Sequence, residues 1–506
     1  MKKRARKNPP KDAGKPRPGL APISGRITTD EAPAPALQPL LQQIVTHLRA
    51  KDFPKLNTAL AEAAAMAPDD VRVLHFQGLA HFEQRDAVTA FSYLKKALSK
   101  RPNDPALQHN MAAILISLGK FDKAEELLRS AIALKPDYAE AFHTMAPIVK
   151  FKADDPLIPL MEQGLKTPEL NQRDTTFYAF ALAKACDDAG LYDRGWPALE
   201  RGNAAMSQSY NPDRRDAAVE ALLRIATRER LTELGQYGHP SRAPILVVSL
   251  PRSGTTLLES VISDHPQVFA AGELTALGSI GKMIGKNLET GAPQIGHAEV
   301  LNRITPQHIY AGGLGYLNAA RQNATSWFDY FVDKLPDNSF NLGFAAALVP
   351  NARVVHIMRH PLDVMLSIYF QRFRSVQYSF RPADILHHYR NYQRVMDHWR
   401  THLPLEMVEL RYENLVQDVD FARGWLWDHL GLTPNVDHVP NAGSAGQQRT
   451  ASRFQVRQPV YQTSKEKFRR YETHMGEFIE GLGGMAVIEA EVTAQEARCA
   501  LRAAAG

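Results

Sequence analysis

The sequence predicts an all-helical repeat region followed by an α/β domain built on a parallel sheet. Two observations support this fold class: prolines recur at a fixed interval in the first third of the chain, and after residue 244 short β-branched runs alternate with amphipathic helices. A chain of 506 residues is too long for a single hydrophobic core and long enough for two or three domains. No apolar run approaches the ~20 residues that a membrane-spanning helix needs.

The net charge of +6 is concentrated in an N-terminal tail, residues 1–35. Residues 1–30 contain nine Lys or Arg and two Asp or Glu, which sum to +7 and leave −1 for the rest of the chain. We therefore expect no nucleic-acid partner. The tail is rich in Pro and lacks the apolar segment of a signal peptide, so we expect a disordered arm, either merely solvated or adhesive towards anionic partners.

The chain has two cysteines, Cys186 and Cys499. Two cysteines are too few for a disulfide framework, and their positions match no metal-ligand spacing. This pattern favours a reducing, cytoplasmic location and predicts no metal site.

The repeat region begins with Pro68, Pro102 and Pro136, which are 34 residues apart. Between these prolines, small residues occupy the positions where paired helices would cross, and large residues occupy the positions between the small ones. The small residues are Gly78, Ala90, Ala97, Ala112, Ala124 and Ala131. This register resembles the tetratricopeptide repeat, a helix–turn–helix unit that stacks into a solenoid. We assign residues 36–168 to such repeats.

Residues 169–240 form a further helical segment of similar character. Gly190 is expected at a turn, and Ala198 and Gly202 lie at helical spacing. The solenoid would then cover residues ~36–235 with about five helix pairs. Repeats of this kind bind protein partners, or they only dock the next domain or build a homodimer, and both interpretations remain open.

The α/β domain is assigned to residues 241–485, with a C-terminal tail at 486–506. Strands are predicted at Ile245–Leu250, Ala352–Arg359 and Glu406–Tyr412, and helices at Thr255–Ser263, Asn338–Val349, Leu362–Phe373 and Ala383–His402. Alternating strands and helices produce a parallel sheet covered on both faces, and ligands bind beyond the carboxyl ends of its strands.

The segment PRSGTT follows the first predicted strand and contains Arg252, Ser253, Gly254, Thr255 and Thr256. A helix start with a glycine, hydroxyl groups and an arginine forms an anion site, although a strand-to-helix turn also occurs for connection alone. The segment lacks the lysine of a Walker A motif, and no Walker B aspartate is evident after a strand. Both absences argue against a nucleotide kinase or ATPase.

The longer stretch PRSGTTLLESVISDHPQVFAAGE resembles the 5′-phosphosulfate loop of sulfotransferases that use 3′-phosphoadenosine-5′-phosphosulfate (PAPS). Its DHP and GE elements look most like tyrosylprotein sulfotransferases, and the resemblance covers about residues 241–475. It implies a P-loop-like sulfotransferase domain that transfers a sulfuryl group from PAPS to a hydroxyl and releases 3′-phosphoadenosine-5′-phosphate (PAP). Protein or peptide tyrosine is the implied acceptor, with a carbohydrate or small-molecule hydroxyl as the alternative.

A second signature, ARVVHIMRHPLDVMLSIYFQRF, supports the resemblance. Arg359 and Ser367 hold the spacing of the family's 3′-phosphate ligands, and a guanidinium suits a bidentate phosphate contact. Tyr412 matches a nucleotide contact, with core packing as an equal alternative, and Lys465 matches a further phosphate contact. Where the family often has an arginine four residues after the serine, this chain has Gln371, which leaves that contact in doubt.

The resemblance also implies three catalytic residues. Glu273, 21 residues after Arg252, would be the base that deprotonates the acceptor, since a phenol of pKa ~10 needs one. Lys334 would stabilise the bridging oxygen as it gains charge, and Ser452 would hydrogen-bond the same region. The alternatives are a helix cap for Glu273 and a solvated lysine for Lys334. His360 is the alternative base, and His265 and His356 are expected to be turn and core residues.

Two other classes of protein remain open at this point. One is a phosphate-loop nucleotide kinase. The other is a repeat scaffold whose transferase domain is inactive.

Overall fold

The computed structural model describes residues 36–206, 208–288, 296–322, 324, 327–373, 375–432 and 465–499. The chain divides into two compact units, Met1–Ala205 and Met206–Gly506. This division falls earlier than the boundary at 240/241 placed from the sequence. Helices between residues 206 and 240 pack within the second unit, against helices of the α/β domain.

The first unit is a succession of antiparallel helices. Its described helices are α1 (Leu37–Ala50), α2 (Phe53–Met66), α3 (Val71–Glu83), α4 (Ala87–Lys100), α5 (Pro105–Ser117), α6 (Phe121–Leu134), α7 (Ala139–Met145), α8 (Leu157–Leu165), α9 (Gln172–Ala189) and α10 (Tyr192–Met206). Sequential helices pack on one another, as in a solenoid. The predicted helical repeats are confirmed, and α7 is a short helix where the repeat pattern decays.

The 34-residue period has a visible physical basis in helix packing. Ala90 and Ala97 on α4 are fully buried, and a Cβ added to Gly78 on α3 would lie 2.8 Å from the Cγ atom of Leu94. The small residues therefore let α3 and α4 approach closely enough for Leu94 to fill the space between them.

Aspartates at the helix starts follow the same period. The side chains of Asp52 and Asp86 cap α2 and α4, and those of Asp70 and Asp104 cap α3 and α5. Each carboxylate accepts a hydrogen bond from a first-turn backbone N–H group. Gly190 ends α9 with a φ of 73°, which confirms the predicted turn.

The second unit alternates helices and strands. Its described elements are α11 (Pro212–Ile225), α12 (Arg228–Gly235), β1 (Pro244–Val248), α13 (Thr255–Ser263), β2 (Val268–Gly272), α14 (Ala276–Leu288), α15 (His297–Arg303), α16 (Pro306–Arg321), β3 (Tyr330–Asp333), α17 (Leu342–Leu348), β4 (Arg353–Met358), α18 (Pro361–Tyr369), α19 (Pro382–His402), β5 (Glu406–Arg411), α20 (Tyr412–Gln417), α21 (Val419–His429), α22 (Gly476–Gly481) and α23 (Met485–Arg498). Short 3₁₀ helices cover Pro336–Asn341, Gln377–Phe380 and Lys467–His474.

The strands of the described residues form a five-stranded sheet in the order β2-β3-β1-β4-β5, and every neighbouring pair is parallel. β1 is central, and its five residues are all buried, as expected for a strand covered on both faces. The chain places β2 and β3 on one side of β1 and then β4 and β5 on the other. The carboxyl end of β1 is therefore the point where ligands bind in such sheets.

The predicted strands β1, β4 and β5 are confirmed within two residues at their ends. Three elements differ from the prediction. β2 was not predicted, because Val268–Gly272 is short and ends in Ala and Gly. The helix expected at Asn338–Val349 begins as the 3₁₀ helix Pro336–Asn341. The segment assigned to a C-terminal tail contains α23, whose Ile488 is buried. Within the described ranges, no helix has the length and apolar content needed to cross a membrane.

Candidate functional site

The residues singled out from the sequence gather at one edge of the sheet. Since all strands are parallel, their carboxyl ends share this edge. The residues that directly follow the strands are Glu273 after β2, Lys334 after β3, Ser249 after β1, Arg359 after β4 and Tyr412 after β5. We call the loop after β1 together with Arg359 and Ser367 the phosphate side, and Glu273 with Lys334 the base side.

On the phosphate side, the two sequence signatures are in direct contact. Arg252 Nε donates a hydrogen bond to Ser367 Oγ at 3.0 Å, and the Arg359 guanidinium donates to the Arg252 carbonyl oxygen at 3.0 Å. The Arg359 guanidinium also lies 3.6 Å from the Asp363 carboxylate. Residues more than a hundred positions apart in the sequence thus form one cationic cluster, because β1 and β4 are neighbours.

The loop after β1 has the backbone geometry of an anion site. Gly254 caps α13 with a φ of 98°, and Arg252 also adopts a positive φ, of 73°. The N-cap residue Gly254 has no side chain with which to cap the first turn of α13, and the backbone N–H groups of this turn can contribute to an anion site. The hydroxyl-bearing residues Ser253, Thr255 and Thr256 are buried in the same turn.

Tyr412 packs against the loop itself. A Cβ on Gly254 would overlap the Tyr412 ring, and the Arg359 guanidinium lies over that ring at 4.6 Å from its centroid. The ring also packs against the apolar core beside α13. Tyr412 therefore supports both the loop and Arg359. Its position is compatible with the nucleotide contact and with the core packing that the sequence left open.

On the base side, Glu273 and Lys334 form an ion pair. Lys334 Nζ donates to Glu273 Oε1 at 2.8 Å, with 1% of the lysine side chain exposed and 37% of the glutamate. Lys334 is therefore not a solvated surface lysine. Glu273 follows a strand and precedes residues without helical structure, so it does not cap a helix. A carboxylate that is partly exposed and held by a buried cation can accept a proton from a bound hydroxyl.

The histidines have other roles. His360 is 5% exposed and stacks on Phe468 at 4.3 Å, and burial lowers its pKa to about 4. That position makes it a poor alternative to Glu273 as a base. His265 accepts from the backbone N–H of Gln267 in the turn after α13, and His356 is buried against Glu409 and Tyr392. The turn and core roles expected for these two are confirmed.

Three residues named from the sequence remain, Lys465, Ser452 and Gln371. Lys465 is half-buried at the start of a described segment, just before the 3₁₀ helix Lys467–His474. Ser452 lies outside the described residues. Gln371 follows the end of α18 and is half-buried.

Sequence reasoning missed three acidic residues of this edge, of which Glu259 and Asp363 are buried and Glu413 is half-buried. Glu259 on α13 accepts a hydrogen bond from the backbone N–H of Gly272 at 2.9 Å, and Glu413 accepts from the backbone N–H of His360 at 3.0 Å. Asp363 accepts from the backbone N–H of Phe468 at 2.9 Å. The signal for Glu259 was a single acidic residue within the apolar helix TTLLESVIS.

Asp333, also missed, ends β3 beside β1, where a Walker B aspartate would stand. It is fully buried and accepts hydrogen bonds from Tyr316 Oη at 2.8 Å, Asn338 Nδ2 at 3.0 Å and the Leu274 backbone at 3.3 Å. Burial raises its pKa to about 7. These partners occupy the carboxylate, so Asp333 acts in the local structure and not as a metal ligand for a nucleotide.

Comparison with known proteins agrees with this geometry. Residues 244–435, which include both signatures and all five strands, match the sulfotransferase family, and residues 81–146 match the tetratricopeptide repeat. The chain thus contains a segment that matches the tetratricopeptide repeat, followed by a segment that matches the sulfotransferase family. The family assignment and the repeat assignment made from sequence are both confirmed.

Among curated relatives, an uncharacterised protein of Aquifex aeolicus is 28% identical over 406 residues, 79% of this chain and 53% of the relative. The omega-hydroxy-beta-dihydromenaquinone-9 sulfotransferase of Mycobacterium bovis is 27% identical over 159 residues, 30% of this chain and 40% of the relative. The chain thus spans about half or less of the length of the curated relatives it matches.

Among solved structures, the sulfotransferase domain of the Synechococcus olefin synthase is 20% identical with a TM-score of 0.29, over 47% of this chain and 96% of that domain. The sulfotransferase domain from the curacin pathway gives 17% identity and a TM-score of 0.29, over 47% of this chain and 98% of that domain.

Proposed function

We propose that the second unit transfers a sulfuryl group from PAPS to a hydroxyl acceptor and releases PAP. The proposal rests on one observation above all, the Arg252–Ser367 hydrogen bond that joins the loop after β1 to the helix after β4. Two guanidinium groups, a hydroxyl and the open N-terminus of α13 lie in one cluster, and this donor set suits a compound with phosphate-type groups at both ends.

The residues present have separable roles in this reaction. The loop after β1 would hold the 5′-phosphosulfate, and Arg359 with Ser367 would hold the 3′-phosphate. Glu273 would accept the proton of the acceptor hydroxyl while the oxygen of that hydroxyl attacks sulfur. Lys334 would stabilise the negative charge that grows on the oxygen bridging sulfur and phosphorus. The ion pair with Lys334 would hold the Glu273 carboxylate in position until the acceptor arrives.

The acceptor that we propose is a tyrosine hydroxyl of a protein or peptide. The resemblance of the PRSGTT loop to tyrosylprotein sulfotransferases supports this choice, as do the repeats, whose relatives bind protein segments. A small-molecule alcohol is the second candidate, since one matched relative is named for a hydroxylated menaquinone. A carbohydrate hydroxyl is a further alternative. We also propose a reducing compartment, and a protein partner or a second copy on the repeats.

The decisive experiment measures PAP release by the full chain from PAPS with three acceptors: a tyrosine peptide, an oligosaccharide and a long-chain alcohol. Release with the peptide supports the proposal in full, and release with another acceptor corrects the acceptor. Calorimetric titration with PAP and with ATP distinguishes a sulfotransferase from a nucleotide kinase. Binding of ATP without binding of PAP would contradict the proposal.

The inactive-scaffold alternative predicts a different pattern. A scaffold would bind PAP or nothing, and it would release no PAP with any acceptor. Lys334→Ala and Glu273→Ala would then leave all measurable behaviour except stability unchanged.

A further inference from the structure

The backbone around the base is held by buried carboxyl groups. The N–H of Gly272, just before Glu273, donates to Glu259 Oε1 at 2.9 Å, and the N–H of Leu274, just after it, donates to Asp333 Oδ1 at 3.3 Å. The carbonyl of Gly272 accepts from the Lys334 backbone N–H at 2.9 Å. The turn that presents Glu273 is therefore fixed on both sides.

Glu259 differs from the other carboxyl groups in its place in the fold. It lies on α13, five residues after the glycine that caps this helix at the phosphate loop, and 2% of it is exposed. Its hydrogen bond to Gly272 connects the phosphate-loop helix directly to the base turn. Gly272 has a φ of 71°, a conformation that glycine adopts without strain and that other residues rarely adopt.

Several charged groups face Glu259 from the surrounding elements. Lys334 after β3 attracts its charge, and Glu273 after β2 and Asp333 at the end of β3 repel it. On α21, which also packs on α13, Arg423 is paired with Asp264 at 3.1 Å. Burial is the largest influence and raises the pKa of Glu259 to about 7.

We propose that Glu259 is a positioning residue that fixes the backbone turn of Glu273 to the phosphate-loop helix, and so aligns the base with the sulfuryl group. This inference rests on the proposed function. With 2% of its surface exposed, Glu259 has little area with which to contact a donor or an acceptor. It acts through Gly272, and its protonation state alters the field in which Glu273 and Lys334 pair.

The first test compares Glu259→Gln and Glu259→Ala in the full chain. Glutamine keeps an acceptor for the Gly272 N–H and removes the charge, whereas alanine removes both. We expect Glu259→Ala to lower kcat about tenfold to hundredfold, because small displacements of a catalytic group are this costly. The Kd of PAP should stay within about twofold, since the phosphate side is intact. A wild-type kcat for Glu259→Ala would overturn the proposal.

The pH profile separates positioning from a merely structural role. At about pH 6 Glu259 is mostly neutral, so Glu259→Gln should keep kcat within about threefold of the wild type. Above about pH 7 the wild-type carboxylate ionises and competes with Glu273 for Lys334, which the glutamine cannot do. The ratio of the two kcat values should therefore change between about pH 6 and pH 8.5. A ratio that stays constant would contradict the proposal, even if Glu259→Ala fails to fold.

Glu413 provides a matched control. Its carboxylate accepts from the backbone N–H of His360 at 3.0 Å and so supports the phosphate side in the way that Glu259 supports the base side. Glu413→Ala should raise the Kd of PAP and leave the pH dependence of kcat unchanged. If Glu413→Ala and Glu259→Ala change the Kd of PAP and the pH dependence of kcat in the same way, Glu259 does not specifically position Glu273.

A third measurement does not depend on turnover. A carboxyl group whose pKa rises on folding, here from 4.5 to about 7, makes the fold less stable as pH rises through that window. The melting temperature of the wild type should therefore fall relative to Glu259→Gln between about pH 4.5 and pH 7. If the wild type releases no PAP but shows this fall, the proposed function fails while Glu259 remains a buried titrating group. Parallel melting curves would refute the position assigned to Glu259.

Discussion

The two sides of the sheet edge differ in how they use charge. On the base side, Lys334 and Glu273 form an ion pair at 2.8 Å, so each charge has an opposite charge beside it and the lysine orients the carboxylate. On the phosphate side, Arg252 donates to the neutral Ser367, and Arg359 contacts a backbone carbonyl, an aromatic face and, at 3.6 Å, the Asp363 carboxylate. The hydrogen bonds described for these two guanidinium groups go to neutral acceptors, and the Arg359–Asp363 contact is longer than the 2.8 Å ion pair of the base side.

This difference suggests a division of labour. Under the proposed function, the phosphate side would bind the anionic donor, and the base side would carry out proton transfer. Variants on the two sides should consequently separate donor binding from turnover.

The largest effect is expected for Glu273→Gln. Glutamine keeps the size of the side chain but cannot accept the acceptor proton, so kcat should fall by about 10²–10⁴-fold. The Kd of PAP, measured by calorimetry, should stay within about twofold of the wild type. Glu477→Gln, which changes an exposed carboxylate of the same unit, serves as the control. A large loss of PAP affinity in Glu273→Gln would remove the distinction between the two sides.

A smaller effect, on the other side, is expected for Arg359→Ala. The loss of two charge-assisted hydrogen bonds should weaken PAP binding about a hundredfold. Arg359→Lys should bind with intermediate affinity, since an ammonium lacks the bidentate fork. Arg381→Ala, an arginine whose side chain is 63% exposed, is the control. Unchanged PAP affinity in Arg359→Ala would show that the 3′-phosphate binds elsewhere.

Ser367→Ala should weaken PAP binding about tenfold, because it removes one donor and releases the Arg252 side chain. A double-mutant cycle with Arg252→Ala measures the connection between the two signatures. The combined variant should lose less affinity than the sum of the single losses. Strict additivity would indicate that the Arg252–Ser367 hydrogen bond has no part in donor binding.

The smallest effect is expected for Tyr412→Leu. Removing the ring beneath Arg359 should weaken PAP binding about twofold to fivefold, the usual range for a cation–π contact. Thermal unfolding of the same variant decides between the two interpretations of this residue. If the melting temperature falls and PAP affinity does not change, Tyr412 is a core residue only.

Much of the repeat unit could be predicted because its determinants are local and periodic. Pro68 and Pro102 mark turns, and the small residues Gly78 and Ala97 mark helix contacts within one repeat length. Local spacing also predicted Arg252 and Gly254 at a helix start, where the backbone conformation confirms the turn. In both regions, neighbouring residues in sequence decide the structure.

The sheet order could not be predicted in this way. Nothing in the local pattern placed β3 between β2 and β1, or made β1 the neighbour of β4. The boundary between the units also escaped prediction, since α11 and α12 are ordinary amphipathic helices that pack with the second unit. Long-range pairing of this kind depends on which apolar faces fit together, and spacing along the chain does not encode it.

The amino-acid sequence by itself thus determined the repeats, the phosphate loop and the residue types of the candidate site, because each depends on a few adjacent positions. Only the tertiary structure decided that Arg252 donates a hydrogen bond to Ser367 and that Lys334 pairs with Glu273. It also decided that Glu259 supports the backbone turn that presents Glu273. These contacts join separate strands and helices, and they form because parallel strands bring their carboxyl ends to one edge.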